Sequence, residues 1–207
     1  EYKSSIFRVP WGTTTNYKNE SVSYGISGVH PTYQHIENQV MVSGRYIDQL
    51  DIDKKNKVVV ISNKIKQELL KDVEDPLEEY LQISGINFRI VGIYSDIGGD
   101  REENNLYVPF TTGQSVFNGA DRLSNLTFTL KPEKSFDKAV EASNIFTAEI
   151  KQYLQEVHQV APDDNSAINV HNMLDEAKRF YTLTDNIAFF FWFVGICTII
   201  VGVVGVS

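Results

Sequence analysis

Hydrophobic and polar positions along this chain follow three patterns. The first has a period of two. In residues 122–130 (RLSNLTFTL) Leu126, Phe128 and Leu130 fall on one side of an extended strand. Residues 2–9 (YKSSIFRV) and 20–29 (ESVSYGISGV) alternate more weakly and also predict strands, the second ended by His30-Pro31. Residues 57–61 (KVVVI) are an apolar run between polar flanks, which predicts a strand buried on both faces. Residues 80–84 and 87–94 predict a hairpin around Ser84-Gly85-Ile86. Residues 40–43 lead into a turn at Gly44-Arg45, 106–108 are closed by Pro109, and 167–170 predict a last strand. Residues 11–19, with three consecutive Thr, predict a polar loop, and 96–105 a flexible acidic one.

The second pattern has the helical period. Pro31 opens a short helix over PTYQHIE. Ser62 or Asn63 can cap IKQELLKD, whose Ile65, Leu69 and Leu70 face inward until Asp75-Pro76 breaks the pattern. Ser135 caps a long helix over 136–158, with Phe136, Val140, Ile145, Phe146, Ile150, Tyr153, Leu154 and Val157 at helical spacing and Asp137 in the first turn. A turn at 162–166 follows.

The third pattern is an absence of polarity. Residues 187–206 (IAFFFWFVGICTIIVGVVGV) carry no charge and no Asn, Gln, His or Pro. A helix of twenty residues at about 1.5 Å each covers roughly 30 Å, the hydrocarbon thickness of a bilayer. Its aromatics gather at one end, as in an interfacial belt. Gly195, Gly202 and Gly205 notch the other half, where small residues let membrane helices approach. The alternative is a buried helix of a soluble domain, which rarely runs apolar for so long. Helical spacing resumes at Asn172 (Met173, Ala177, Phe180, Tyr181, Leu183), and no breaker intervenes before Gly195. One helix is therefore expected to run from a folded domain into a membrane without a floppy linker. A start at Glu1 and an end at Ser207 directly behind the apolar run are expected of a segment of a longer chain.

These elements predict an α+β fold. An α/β-sandwich lobe is expected from both ends of the chain (1–39 and 120–171), with an inserted, mostly β lobe (40–119). A C-terminal hydrophobic helix (172–207) follows, with 187–206 transmembrane. The 42% hydrophobic and 22% charged content is that of a globular chain. The net charge of −8 argues against a nucleic-acid surface, which needs clustered Lys and Arg. The single Cys197 excludes an internal disulfide and a Cys-based zinc site.

Catalytic motifs are missing: no GxxxxGK[ST], HExxH, GxSxG or CxxC occurs. His30, His35, His158 and His171 lack metal-ligand spacing. Asp96, Asp100, Glu102 and Glu103 lack the DxDxDG order of a calcium loop. No nucleophile, base and oxyanion set assembles. The residues point to a membrane-anchored, non-enzymatic domain with no cofactor or metal of its own.

The order of segments goes further. Residues 42–47 (VSGRYI) followed by Asp51 resemble the GR…D element of MacB-type ABC transporter permeases. KVVVI resembles that family's next strand. Asp75-Pro76-Leu77, then LQI and FRIVGI, resemble its "dp.G..i.i....f.VvGv" hairpin, in which Gly92 is the last glycine. LYVPF, with Pro109, is similar to its "iPf" strand, and residues 193–207 resemble the start of its second membrane helix. The motif residues carried over are Gly44, Arg45, Asp51, Pro76, Gly92 and Pro109. Glu78 departs from the pattern, which has Gly-Lys there, and residues 1–19 match less well.

The resemblance, to the MacB-like periplasmic core domain and the FtsX-like permease superfamily, implies an extracytoplasmic domain between the first and second of four membrane helices. It implies a bacterial inner-membrane location, with residues 1 to about 186 on the periplasmic side. The implied partners are a second permease copy, an ABC ATPase subunit or domain holding ATP and Mg, membrane lipid and a periplasmic adaptor. The implied function is coupling of cytoplasmic ATP hydrolysis to export or mechanotransmission. The alternative from another class is a periplasmic sensor or ligand-binding domain of a membrane receptor.

Overall fold

Strand β6 (Val58–Ser62) is buried at every residue, because both of its faces are covered. Val59 and Ile61 pack into one apolar cluster with Ile65, Leu69, Leu81, Phe88 and Leu106. Val58 and Val60 pack into a second cluster with Ile47, Ile52, Tyr94 and Tyr107. The uninterrupted KVVVI run is the sequence trace of that double burial. Each such side chain contributes about 1.5–3 kcal/mol of burial.

The computed structural model describes residues 2–206 apart from 11, 97–101, 162 and 165. It divides into two compact units, Glu1–Leu130 and Lys131–Ser207. In the first, the remaining strands are β1 (Lys3–Arg8), β2 (Thr15–Tyr17), β3 (Glu20–Val22), β4 (Gly25–Val29), β5 (Val40–Gly44), β7 (Tyr80–Ile83), β8 (Ile86–Ser95), β9 (Asn105–Pro109) and β10 (Asn125–Phe128). They form one mixed sheet in the order β10-β1-β4-β9-β6-β8-β7-β2-β3, with β5 added beside β8. Helices α1 (Tyr33–Ile36), α2 (Gln49–Lys54), α3 (Asn63–Leu69) and α4 (Phe110–Val116) complete the unit.

The chain is thus mixed α and β, with a large sheet. The separate lobe expected over 40–119 does not show as a break in that sheet. β9 lies between β4, its parallel partner, and β6. Residues 106–109 of β9 are buried, with Leu106 and Val108 in the first apolar cluster and Tyr107 in the second, so both faces of the strand are covered.

Local signals explain most elements. Ser62 Oγ accepts from Ile65 N at 3.0 Å and caps α3. Ser84 (φ 47°) and Gly85 (φ 79°) close the β7–β8 hairpin in a two-residue, positive-φ turn. Three expectations need correction. The polar loop over 11–19 contains β2, because Thr15 and Tyr17 alternate inward and are buried. The strand expected over 20–29 is two strands: β3 pairs with β2, and β4 with β1 and β9. Residues 167–170 form no strand; the Asp164 carboxylate instead accepts from Ser166 N, Ser166 Oγ and Ala167 N in an Asx-type turn.

The second unit contains α5 (Phe136–Val157) and α6 (Met173–Val206). Ser135 Oγ accepts from Lys138 N at 3.4 Å and caps α5. Val140 is buried, whereas Phe136, Ile145, Tyr153 and Val157 are exposed despite their helical spacing. α6 is a single helix of 34 residues, roughly 50 Å long, with no interruption between Met173 and Gly195.

Candidate functional site

Four of the six motif residues meet at the end of β5. Gly44 (φ 71°) pairs with Gly92 of β8, and Arg45 N donates to Val91 O at 2.9 Å. A Cβ on Gly44 would meet Val91 O, and one on Gly92 would meet Arg45 O. Two glycines are therefore needed for the end of β5 to lie this close beside β8.

Arg45 then reaches Asp51 in two parallel bonds, Nη1 to Oδ2 at 2.6 Å and Nη2 to Oδ1 at 3.2 Å. Asp51 also accepts from Asn56 Nδ2 at 2.9 Å and from Asp48 N at 3.2 Å. The Asp48 carboxylate in turn accepts from Asp51 N at 2.9 Å, which makes a capping box at the start of α2. The Asp51 side chain is 1% exposed and that of Arg45 43%. Burial pushes the Asp51 carboxyl up, but the bonds from Arg45, Asn56 and Asp48 outweigh it and hold it below the usual carboxylate range. The constellation is a structural clamp that fixes β5, β8 and α2.

Pro76 and Pro109 lie outside the clamp. Pro76 is buried in the turn before β7, and its neighbour Leu77 approaches Gly44. Pro109 ends β9 and starts α4. Glu78 has φ 76°, in the left-handed region where the family's glycine is at ease. A bond from Glu78 N to Ile90 O (3.0 Å) and an Arg89–Glu78 ion pair (2.7 Å) hold it there.

The first unit also has a cleft of about 740 Å³, lined among others by Arg8, Tyr24, Tyr33, Glu37, Glu68 and Tyr107. Its polar groups engage one another: Tyr24 Oη donates to Glu68 at 2.8 Å. Burial raises Tyr24 and Tyr33, and pushes Tyr107 up to about 12, so these hydroxyls stay protonated at physiological pH. Among the described residues, no group of three His, Cys, Asp or Glu could hold a metal ion. Of the acidic loop, residues 97–101, including Asp100, lie outside the described residues. The Glu103 carboxylate is a brace that accepts from Ser95 Oγ (2.8 Å), Asp96 N (3.1 Å) and Lys64 N (3.2 Å).

In the second unit, α6 starts from α5. The Asn172 side chain accepts from Leu174 N (3.1 Å) and Asp175 N (3.3 Å), and so caps α6. It also donates to Ser143 Oγ (3.0 Å) and Asn144 Oδ1 (2.8 Å) on α5. Further along, Lys178 pairs with Asp137 at 3.2 Å, and the Tyr181 ring meets Phe136 edge-on at 5.5 Å. Asn172 with Asp175 and Glu176 behind it is a readable helix start; its bonds to residues 28 and 29 positions away leave no local trace.

From Thr182 to Gly195 every residue of the helix is exposed. Residues 189–193 (FFFWF) are between 55% and 68% exposed, so this is no buried core helix. Met173–Val201 is long and apolar enough to cross a membrane. A Cβ on Gly195 would meet nothing within 4 Å. The surroundings of Gly202 and Gly205 lie outside the described residues.

A mixed sheet, a glycine-threaded clamp and a membrane-length helix now stand together, and the sequence profile of the MacB-like periplasmic core domain matches residues 4–144. The chain belongs to this family. The macrolide export ATP-binding/permease protein MacB of Chlorobaculum tepidum is 23% identical over 160 residues, 76% of this chain and 23% of that protein. The pyoverdine export ATP-binding/permease protein PvdT of Pseudomonas fluorescens is 27% identical over 171 residues, 80% of this chain and 24% of that protein. The chain thus spans about a quarter of the length of these relatives.

Two solved structures share the fold of this MacB-like domain. The periplasmic region of MacB from Actinobacillus actinomycetemcomitans gives a TM-score of 0.64 at 21% identity, over 77% of this chain and 68% of that one. The extracellular domain of the ABC-type transporter YknZ from Gram-positive bacteria gives 0.55 at 18% identity, over 72% and 75%. Family membership replaces the receptor-sensor alternative with a permease domain.

Proposed function

We propose that this domain transmits motion between a bacterial inner membrane and the extracytoplasmic space, as part of an export permease driven by an ABC ATPase. Residues 1 to about 186 stand on the periplasmic side, 187–206 cross the bilayer, and ATP and Mg bind to the cytoplasmic ATPase. The permease works as a pair, and Gly195 lies on a surface open to a neighbouring membrane helix. The relatives named for ATP binding and export support this reading.

The observation that carries it is the unbroken α6. A helix is stiff along its axis, so movement at its membrane end arrives at Asn172 without being absorbed by a loop. Transport through a permease of this kind turns on a shift between two arrangements, and α6 is the element able to report that shift outside the membrane. The test is disulfide cross-linking through a Thr184→Cys substitution in the full-length permease with its ATPase in lipid. Cross-linking between paired copies is expected to change between nucleotide-free and ATP-bound states. An identical yield in both states would remove the proposal.

A further inference from the structure

We infer that Asn172 is the positioning residue that makes α5 move with α6. The inference rests on the transmission reading of α6 and assigns the point at which motion leaves it.

A side-chain amide has two N–H donors and a carbonyl oxygen with two acceptor sites. Asn172 uses all four. Its carbonyl takes Leu174 N and Asp175 N, which belong to the first turn of α6. Its amino group gives to Ser143 Oγ and Asn144 Oδ1, which belong to the middle of α5. Ser or Asp would cap a helix as well as Asn, but neither carries the two donors toward α5.

Burial decides which tie holds. Ser143 is 3% exposed, and its own hydroxyl proton goes to Val140 O at 2.8 Å, which leaves an oxygen lone pair for Asn172. A bond to such a site is not easily exchanged for water. The Lys178–Asp137 pair has side chains 47% and 84% exposed, so solvent screens it. Phe136 and Tyr181 are exposed as well. α6 can therefore slide or rotate at its exposed contacts and still carry α5 with it at Asn172. The chain that leaves α5 toward its N-terminus reaches β10 within seven residues, so α5 is also next in sequence to the large sheet.

Asn172→Asp separates the two roles, since it keeps the cap and loses both donors. Ser143→Ala removes one acceptor from the α5 side and leaves the cap untouched. The experiment uses the full-length permease with its ATPase in lipid nanodiscs, spin-labelled at Thr184 (α6) or Ala148 (α5). Distances between paired copies are read by pulsed EPR with and without ATP. In the otherwise unchanged protein both labels should shift. In Asn172→Asp the α6 shift should persist while the α5 shift falls at least twofold, and Ser143→Ala should move the result the same way. Amide exchange at Leu174 and Asp175 should stay slow in Asn172→Asp, which shows the helix start intact. Full α5 shifts in both variants would overturn the inference. An α6 shift without any α5 shift in the unchanged protein would overturn it too, while leaving the transmission reading in place. No shift of either label would remove that reading and the inference together.

Discussion

Asp51 is the residue on which the clamp depends. It is buried, and four donors converge on it: two guanidinium N–H groups of Arg45, the Asn56 amide and Asp48 N. Removing its charge leaves those donors facing a weaker acceptor, so Asp51→Asn should lower unfolding stability by about 2–4 kcal/mol, measured by denaturant titration. The folded carboxyl sits below its ordinary value of about 3.9, so its contribution is complete above that value. It is lost as pH falls further, through the folded-state value. The stability gap between the parent and Asp51→Asn should therefore be flat above about pH 5 and close under more acidic conditions. A gap that widens on acidification would contradict the clamp.

Two neighbouring positions test the backbone side. Gly92→Ala forces a Cβ against Arg45 O, and a loss of about 2–4 kcal/mol is expected. Glu78→Gly should go the other way. It relieves a left-handed glutamate at φ 76° and gives up an ion pair in which Glu78 is 74% exposed, for a net gain of about 0.5–1 kcal/mol in thermal or denaturant unfolding. Gly44, Arg45, Asp51 and Gly92 stand out in the sequence only through their resemblance to the family's motifs. That they build a clamp was not, since the meeting of Gly44 with Gly92 depends on β5 lying beside β8.

At the scale of elements, α6 combines a polar start with an apolar remainder. Its N-terminal turns are tied to α5 at Asn172 and touch it through exposed contacts at Lys178 and Tyr181, and the aromatic run that follows is exposed. So large an apolar surface is unstable in water and at home in lipid. Ile196→Arg, near the centre of 187–206, should raise the insertion free energy by about 2.5–3.5 kcal/mol, read as loss from the membrane fraction or in a glycosylation insertion assay. The same change at Tyr153 on α5, which is exposed outside the apolar run, should leave insertion unaffected.

Segments with a strong local signal announced themselves in the sequence: the periodic α5, the apolar length of α6, the β7–β8 hairpin and the apolar run of β6. Short elements did not. β2 is three residues long and stands among polar threonines; its place in the sheet comes from pairing with β3 and β7 and its burial from Tyr17 packing into the first apolar cluster, both set by distant residues. α4 follows Pro109 with two Thr and a Gly, a weak helical signal, and is held by its packing on β4 and β9. The apolar positions of α5 illustrate the reverse. Helical spacing placed Ile145 and Tyr153 on a face without saying whether anything covers it.

At the scale of the whole molecule, a rigid sheet unit and a helical unit are joined in one chain, and the second ends in a helix of membrane length. The sheet is locked from within by the double burial of β6 and by the clamp at β5, so it behaves as a body that can be moved rather than deformed. α6 is the lever. Transmission through α6 depends on the stiffness of the junction between Thr184 and Ile187.

The most direct measurement is to insert Gly-Ser-Gly-Ser between Thr184 and Asp185 in the full-length permease. The nucleotide-dependent change in cross-linking between paired extracytoplasmic domains is then compared with that of the uninterrupted protein. A flexible insert absorbs axial motion. ATP hydrolysis should continue while the change in cross-linking is lost. A change of undiminished size across the flexible insert would contradict transmission through α6.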